Sequence, residues 1–203
     1  MADSLEDLGG YDLFPIEPNW AVTPKGDLDL AKELINYPGT VSQLIGFTYD
    51  VPEVWSFGFS PDKDEEYDLI NFFVGKYGRT GAFWMKLPHT EFTLTTTALS
   101  GSTELRVERN LAERQYQGYE RVWIDMHTGD ILTREVNDTT DETTYLSLSL
   151  TTSLDRDITL TNHYKICRLL FCRFDEDALI MNYSQDYYPQ ITIYVRELVK
   201  EYP

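Results

Sequence analysis

Hydrophobic and polar positions alternate with a period of two along most of this chain, and one segment shifts to the longer period of a helix. Trp55, Phe57 and Phe59 alternate with Ser56 and Gly58. Leu105 and Val107 alternate with Glu104, Arg106 and Glu108, and Leu146, Leu148 and Leu150 with Ser147 and Ser149. Antiparallel strands with one face buried give this pattern. Phe92 with Leu94, Ile158 with Leu160, Leu179 with Met181 and Tyr183, and Ile191 with Ile193 and Val195 continue it. Val122 and Ile124 lead into the turn His127-Thr128-Gly129-Asp130, and Ile131 starts the return strand. Residues 41–47 and 165–172 also read as strands, and no βαβ alternation or long internal repeat interrupts the series.

The exception lies within residues 60–87. Ser60 offers an N-cap hydroxyl and Pro61 suits the first helical turn. Asp62, Asp64, Glu65 and Glu66 put negative charge where the helix dipole favours it. Tyr67, Ile70, Val74 and Tyr77 recur at spacings of three and four, with Leu69 and Phe73 widening the stripe, and Gly78 supplies a C′ residue. The pattern predicts a helix over about residues 61–77, followed by the aromatic strand Gly81-Ala82-Phe83-Trp84-Met85. The predicted fold is therefore mainly β, an antiparallel β-sandwich or barrel-like domain with one packed α-helix.

Residues 1–40 are different. Pro15, Pro18, Pro24 and Pro38 exclude a central strand over much of this stretch, since proline has no ladder donor. It reads as an extended N-terminal arm that lays Phe14, Ile16 and Trp20 on another surface, with a short helix over 27–36. Residues 41–203 form the β-rich body. Polar joints at 100–102 and 137–142 outline a middle β module over 89–162.

Charge narrows the functions. With 34 acidic against 17 basic residues, the net charge of −17 lacks the basic footprint of a sequence-specific nucleic-acid reader. It also disfavours docking on anionic lipid. A solvated acidic surface is sufficient explanation for most of it. No apolar run approaches the roughly 20 residues of a transmembrane helix, so no membrane insertion is expected. The acidic start Met1-Ala2-Asp3-Ser4-Leu5-Glu6-Asp7 is unlike a signal peptide, which implies synthesis in a cytoplasm. Cys167 and Cys172, five strand steps apart, fall on opposite faces about 16 Å from each other, too far for a disulfide.

Catalytic chemistry finds no foothold. His89, His127 and His163 have no metal-ligand spacing, and no nucleophile elbow, P-loop or dinucleotide fingerprint occurs. Asp62, Asp64, Glu66 and Asp68 imitate a calcium loop but lack its turn glycine and suit a helix N-terminus better. The expectation is a non-enzymatic protein with no catalytic, cofactor-binding or metal-binding residues. Phe14, Trp20, Tyr187 and Tyr188 lie in Pro-flanked or terminal segments that are poorly placed to form a core. They are the candidate subunit-interface residues, because aromatics are enriched in such contacts.

Three blocks carry a resemblance. Leu69-Ile70-Asn71-Phe72-Phe73 through Lys76-Tyr77-Gly78-Arg79 to Ala82-Phe83-Trp84 resembles a helix that ends in Gly-Arg and leads into an aromatic strand in tail proteins of long-tailed phages and gene transfer agents. Phe14-Pro15-Ile16-Glu17-Pro18-Asn19-Trp20 resembles the opening of those proteins. Cys172-Arg173-Phe174-Asp175-Glu176-Asp177-Ala178-Leu179, followed by Arg196-Glu197-Leu198, is similar to their closing hairpin and last strand. The family named is the distal tail protein or a related tail-tip adaptor. The resemblance implies a virion structural protein of the tail that forms a homo-oligomer, a hexameric ring, with the tail tube protein and hub or tip proteins as partners. An acidic lumen in such a ring would repel passing DNA. The alternative is a carbohydrate- or receptor-binding β module of a virion, in which tyrosine and tryptophan pair with carboxylates.

Overall fold

A computed structural model describes residues 8–17, 25–28, 32–36, 42–46, 53–87, 92–108, 120–183 and 189–198. In chain order the strands are β1 (Lys25–Leu28), β2 (Lys32–Asn36), β3 (Ser42–Gly46), β4 (Glu53–Phe59), β5 (Ala82–Lys86), β6 (Glu104–Glu108), β7 (Glu120–Met126), β8 (Ile131–Asp141), β9 (Tyr145–Leu150), β10 (His163–Phe174), β11 (Met181–Tyr183) and β12 (Pro189–Glu197). Among the described residues one helix, α1 (Lys63–Gly75), interrupts them. The described residues are mainly β with a single helix, as the periodicity predicts, and their paired strands do not close into a barrel. The chain divides into two compact units, one of Met1–Phe14 with Trp84–Leu170 and one of Pro15–Phe83 with Phe171–Pro203. Residues 89–162, expected as a module, fall within the first.

In the first unit β7, β8 and β9 follow one another as antiparallel neighbours, with β10 beside β7 and β6 beside β9. The register lines up large apolar residues: Ile166 opposite Ile124, Ile124 opposite Leu132, and Leu105 opposite Leu148. All five are essentially inaccessible. Phe92, Leu94 and Ile158 join this core from irregular backbone. Their period-two pattern suggests strands, yet only isolated bridges form, Leu94 with Val107 and Ala98 with Ile158. Leu160 stands exposed instead of continuing the pattern. Burial of alternate side chains can thus be met by a loop tied down at single points. The polar joint expected at 137–142 is mostly strand: β8 runs through to Asp141, with Thr139 opposite Leu148. Its backbone pairs with β9 while most of its polar side chains face water, past a register shift between Val136 and Asp138.

A charged network braces one end of this unit. Arg134, 3% exposed, donates from Nη1 to the Thr133 carbonyl (2.7 Å) and from Nε to that of Ser153 (3.2 Å). Its Nη2 lies 3.4 Å from Asp155. Arg156 bonds the same carboxylate through Nε and pairs with buried Asp130 at 3.2 Å. Thr128 Oγ1 also donates to Asp130, which ties down the β7–β8 turn.

In the second unit β12 pairs with β4 from Ile191 opposite Phe59 to Arg196 opposite Val54, and β1 adds to β4. The last residues of β10, Cys172–Phe174, also pair with β12, as does β11. β2 and β3 form a separate hairpin whose register sets position 34 opposite position 44. Strands at 25–28 and 32–36 overturn the short helix suggested for 27–36. Local helix propensity there is a weak bias, and pairing with 42–46 satisfies the backbone of β2 instead.

Helix α1 packs through rings. Phe72 meets Phe83 edge-on at 5.2 Å, and Phe174 lies 4.8 Å from both Phe73 and Phe83. Leu69, Phe83 and Phe174 are buried, whereas Phe73 is only half-buried. Truncating Phe174 should therefore cost more than truncating Phe73. We expect Phe174→Ala to lose about 3–5 kcal/mol of unfolding free energy and Phe73→Ala clearly less, as read from urea denaturation curves.

Candidate interaction surface

The helix begins two residues later than the sequence suggests. Asp62, not Ser60, is the N-cap: its carboxylate accepts from the Asp64 and Glu65 amides at 2.9 Å, and the Glu65 carboxylate accepts from the Asp62 amide at 3.0 Å. This reciprocal capping box needs an acid or amide three residues after the cap. Asp62 has Glu65 there, but Ser60 has Lys63. Pro61 consequently lies outside the helix. The carboxylate of Asp62, one of the four that imitate a calcium loop, is occupied by backbone amides.

The helix ends in a Schellman arrangement. The Tyr77 amide donates to the Val74 carbonyl at 3.0 Å and the Gly78 amide to that of Phe73 at 3.2 Å. The left-handed C′ residue in this arrangement is Tyr77, at φ 52°, with Gly78 following at φ 59°. A side chain at 78 would crowd Asp177, whose Oδ1 lies 3.1 Å from the position of an added Cβ. Asp177 Oδ1 also accepts from the Arg79 amide at 3.2 Å.

The predicted apolar stripe is split, its Leu69 and Phe73 packed inward and its Tyr67, Val74 and Tyr77 turned outward. Leu69, Phe72 and Phe73 point inward, while Tyr67, Val74 and Tyr77 are 67%, 63% and 79% exposed. Phenylalanine and leucine bury without a polar debt, whereas a buried tyrosine hydroxyl needs a partner. Beside this outward face runs the segment from Asp177 to Tyr183. It is held at one end by the Asp177 contacts and at the other by the Tyr183 hydroxyl, which donates to Glu66. Ile180 and Tyr183, 60% and 63% exposed, extend the same surface. The bond to Glu66 favours the neutral phenol and raises the pKa of Tyr183, burial adding a smaller push.

The predicted interface residues fare unevenly. Phe14 is 6% exposed: its amide donates to the Trp84 carbonyl at 2.8 Å, and its ring is taken up by its own chain. The Trp84 amide answers to Asp12 and its indole Nε1 to the Leu8 carbonyl, so residues 8–14 line one strand of their own chain. Trp20, Tyr187 and Tyr188 lie outside the described residues, as does His89. His127 is exposed in its turn, and the His163 ring nitrogen Nδ1 bonds the Thr159 carbonyl at 2.8 Å. Among the described residues no group of three or more histidine, cysteine, aspartate or glutamate side chains could hold a metal ion.

A hollow of about 430 Å³ in the first unit is lined by threonines, Leu99, Ser102, Glu104 and Arg106. Its two charges neutralise each other: Arg106 holds Glu104 through two bonds of 3.0 and 3.1 Å, and Ser147 donates a third at 2.8 Å. These bonds, Arg106 first and Ser147 second, hold the Glu104 carboxyl below its ordinary value of 4.5. No protein-family model matches this chain, and no curated protein matches it significantly.

Two predictions follow from this geometry. A depressed carboxylate pKa contributes stability above the ordinary range that is lost as pH falls through the folded-state value. Glu104→Gln should lower stability at pH 7 and change it little once pH falls below the folded-state value, which flattens the acid limb below pH 4.5, as measured by thermal melts across pH. At position 77 the left-handed backbone penalises any side chain. Tyr77→Gly should raise unfolding free energy by about 0.5–1 kcal/mol, the extra chain entropy of glycine offsetting part of the relief, as read by chemical denaturation.

Proposed function

We propose that this chain is a non-enzymatic virion structural protein, a distal tail or tail-tip adaptor that assembles as a ring, expected to be a hexamer, and joins the tail tube to the hub or tip. One observation carries the reading. Two of the motif blocks that resemble tail proteins, separated by about a hundred positions in the chain, pack on each other within the second unit. The Gly78-Arg79 helix end is fastened to Asp177, and Phe72, Phe73 and Phe83 pack on Phe174. Motifs that meet as one assembly support a shared origin better than the same motifs scattered over a surface.

The exposed tyrosines and aliphatics of the helix face suit a protein that works through contacts. In a tail, such contacts would run to the tube protein and the hub. The arm aromatics Trp20, Tyr187 and Tyr188 remain the proposed subunit contacts, whereas Phe14 is committed to its own chain's core. Light scattering of the purified protein across concentration, with electron micrographs of the same sample, tests the reading. A discrete ring is the expected result. A monomer at all concentrations that binds a glycan array would favour the carbohydrate-binding alternative.

A further inference from the structure

We propose that the outward face of α1, together with residues 180–183 beside it, docks a cationic segment of a partner protein that presents both basic and apolar side chains. A ridge of exposed side chains along a helix and the segment beside it suits a macromolecular segment rather than a small ligand, which takes a concave site. Its apolar part is contiguous: Tyr67 and Val74 lie two turns apart on one side of the helix, Tyr77 stands at its end, and Ile180 and Tyr183 line the adjoining segment.

A second observation comes from the backbone. Tyr77 occupies the left-handed C′ position, where glycine fits without strain, and its ring projects into solvent. Strain held by an exposed side chain brings the folded chain no return of its own. It points to a contact made outside the chain.

Charge identifies the occupant. Asp64 and Asp68 are exposed along one flank of the ridge, and Glu66 stands on the other in its bond to Tyr183. Lys63 is the one basic side chain of the helix directed outward, since Lys76 lies over the Phe72 ring on the packed side. A second copy would bring acid against acid under a net charge of −17 on each chain. A segment carrying lysine or arginine finds carboxylates on both flanks and three tyrosine faces that attract cations. The surface thus complements a basic partner and opposes self-association.

The test titrates the full chain with a designed helical peptide of alternating lysine and leucine faces, using its glutamate–leucine counterpart as the charge control, by calorimetry. The lysine peptide should bind the wild type. Binding should weaken at least about tenfold in Tyr77→Gly and in the double variant Tyr67→Ser/Val74→Ser, although Tyr77→Gly melts at a higher temperature than the wild type. Loss of affinity alongside gain of stability separates a contact residue from a structural one. Equal binding to the wild type and both variants would overturn the proposal, because net charge alone would then account for it. Equal binding of the glutamate peptide would overturn it too. So would a mass that doubles with concentration and reverts in the variants, since the occupant would then be a second copy.

Discussion

Phe72 and Phe73 can reach Phe83 and Phe174 only if α1 turns that side inward, and this one packing choice sets what the second unit shows to its surroundings. A helix this short gains little from propensity and takes its orientation from tertiary burial. Once the phenylalanine side is inward, Tyr67 and Val74 must face out, and the helix end must bring Gly78 against Asp177. The capping box and the Schellman bonds close the two ends but do not choose the face. Ring burial does.

The strand pattern was legible because each β-strand with one buried face writes its alternation directly into the sequence. Leu146, Leu148 and Leu150 announce β9, and Trp55, Phe57 and Phe59 announce β4. The failures have physical causes. Phe92 with Leu94 and Ile158 with Leu160 alternate without being strands, since alternation reports side-chain burial and not ladder pairing. The predicted stripe joined two faces of the helix, Tyr67-Ile70-Val74-Tyr77 and the Leu69 and Phe73 that widen it. Spacing cannot rank them, but the cost of burying a phenol can. The exposed surface was therefore present in the sequence as residue types, while the face they occupy was not. Ser60 and Asp62 were both able caps, and position 65 was the signal that distinguishes them.

The two units handle charge differently. In the first, buried Arg134 and Asp130 are linked through Asp155 and Arg156, so that cations and carboxylates alternate and each meets an opposite neighbour. Removing one member would strand its neighbours, which makes such a network costly to break in part. In the second unit the acids of α1 divide their work. Asp62 and Glu65 are engaged with the helix backbone and Glu66 with a phenol, which leaves Asp64 and Asp68 as the charge facing water.

β10 buries its side chains without a break from Lys165 to Cys172, and both free thiols lie within that run. Burial, with nearby Glu197 adding to it, pushes the Cys172 thiol well above its usual range, so the nucleophilic thiolate is withheld in the folded chain. Both thiols are free, so no disulfide contributes to the fold. The strand also carries its own reporter: because reagent can reach Cys172 only when β10 opens, the rate of alkylation there counts openings of the strand on which the second unit is partly built.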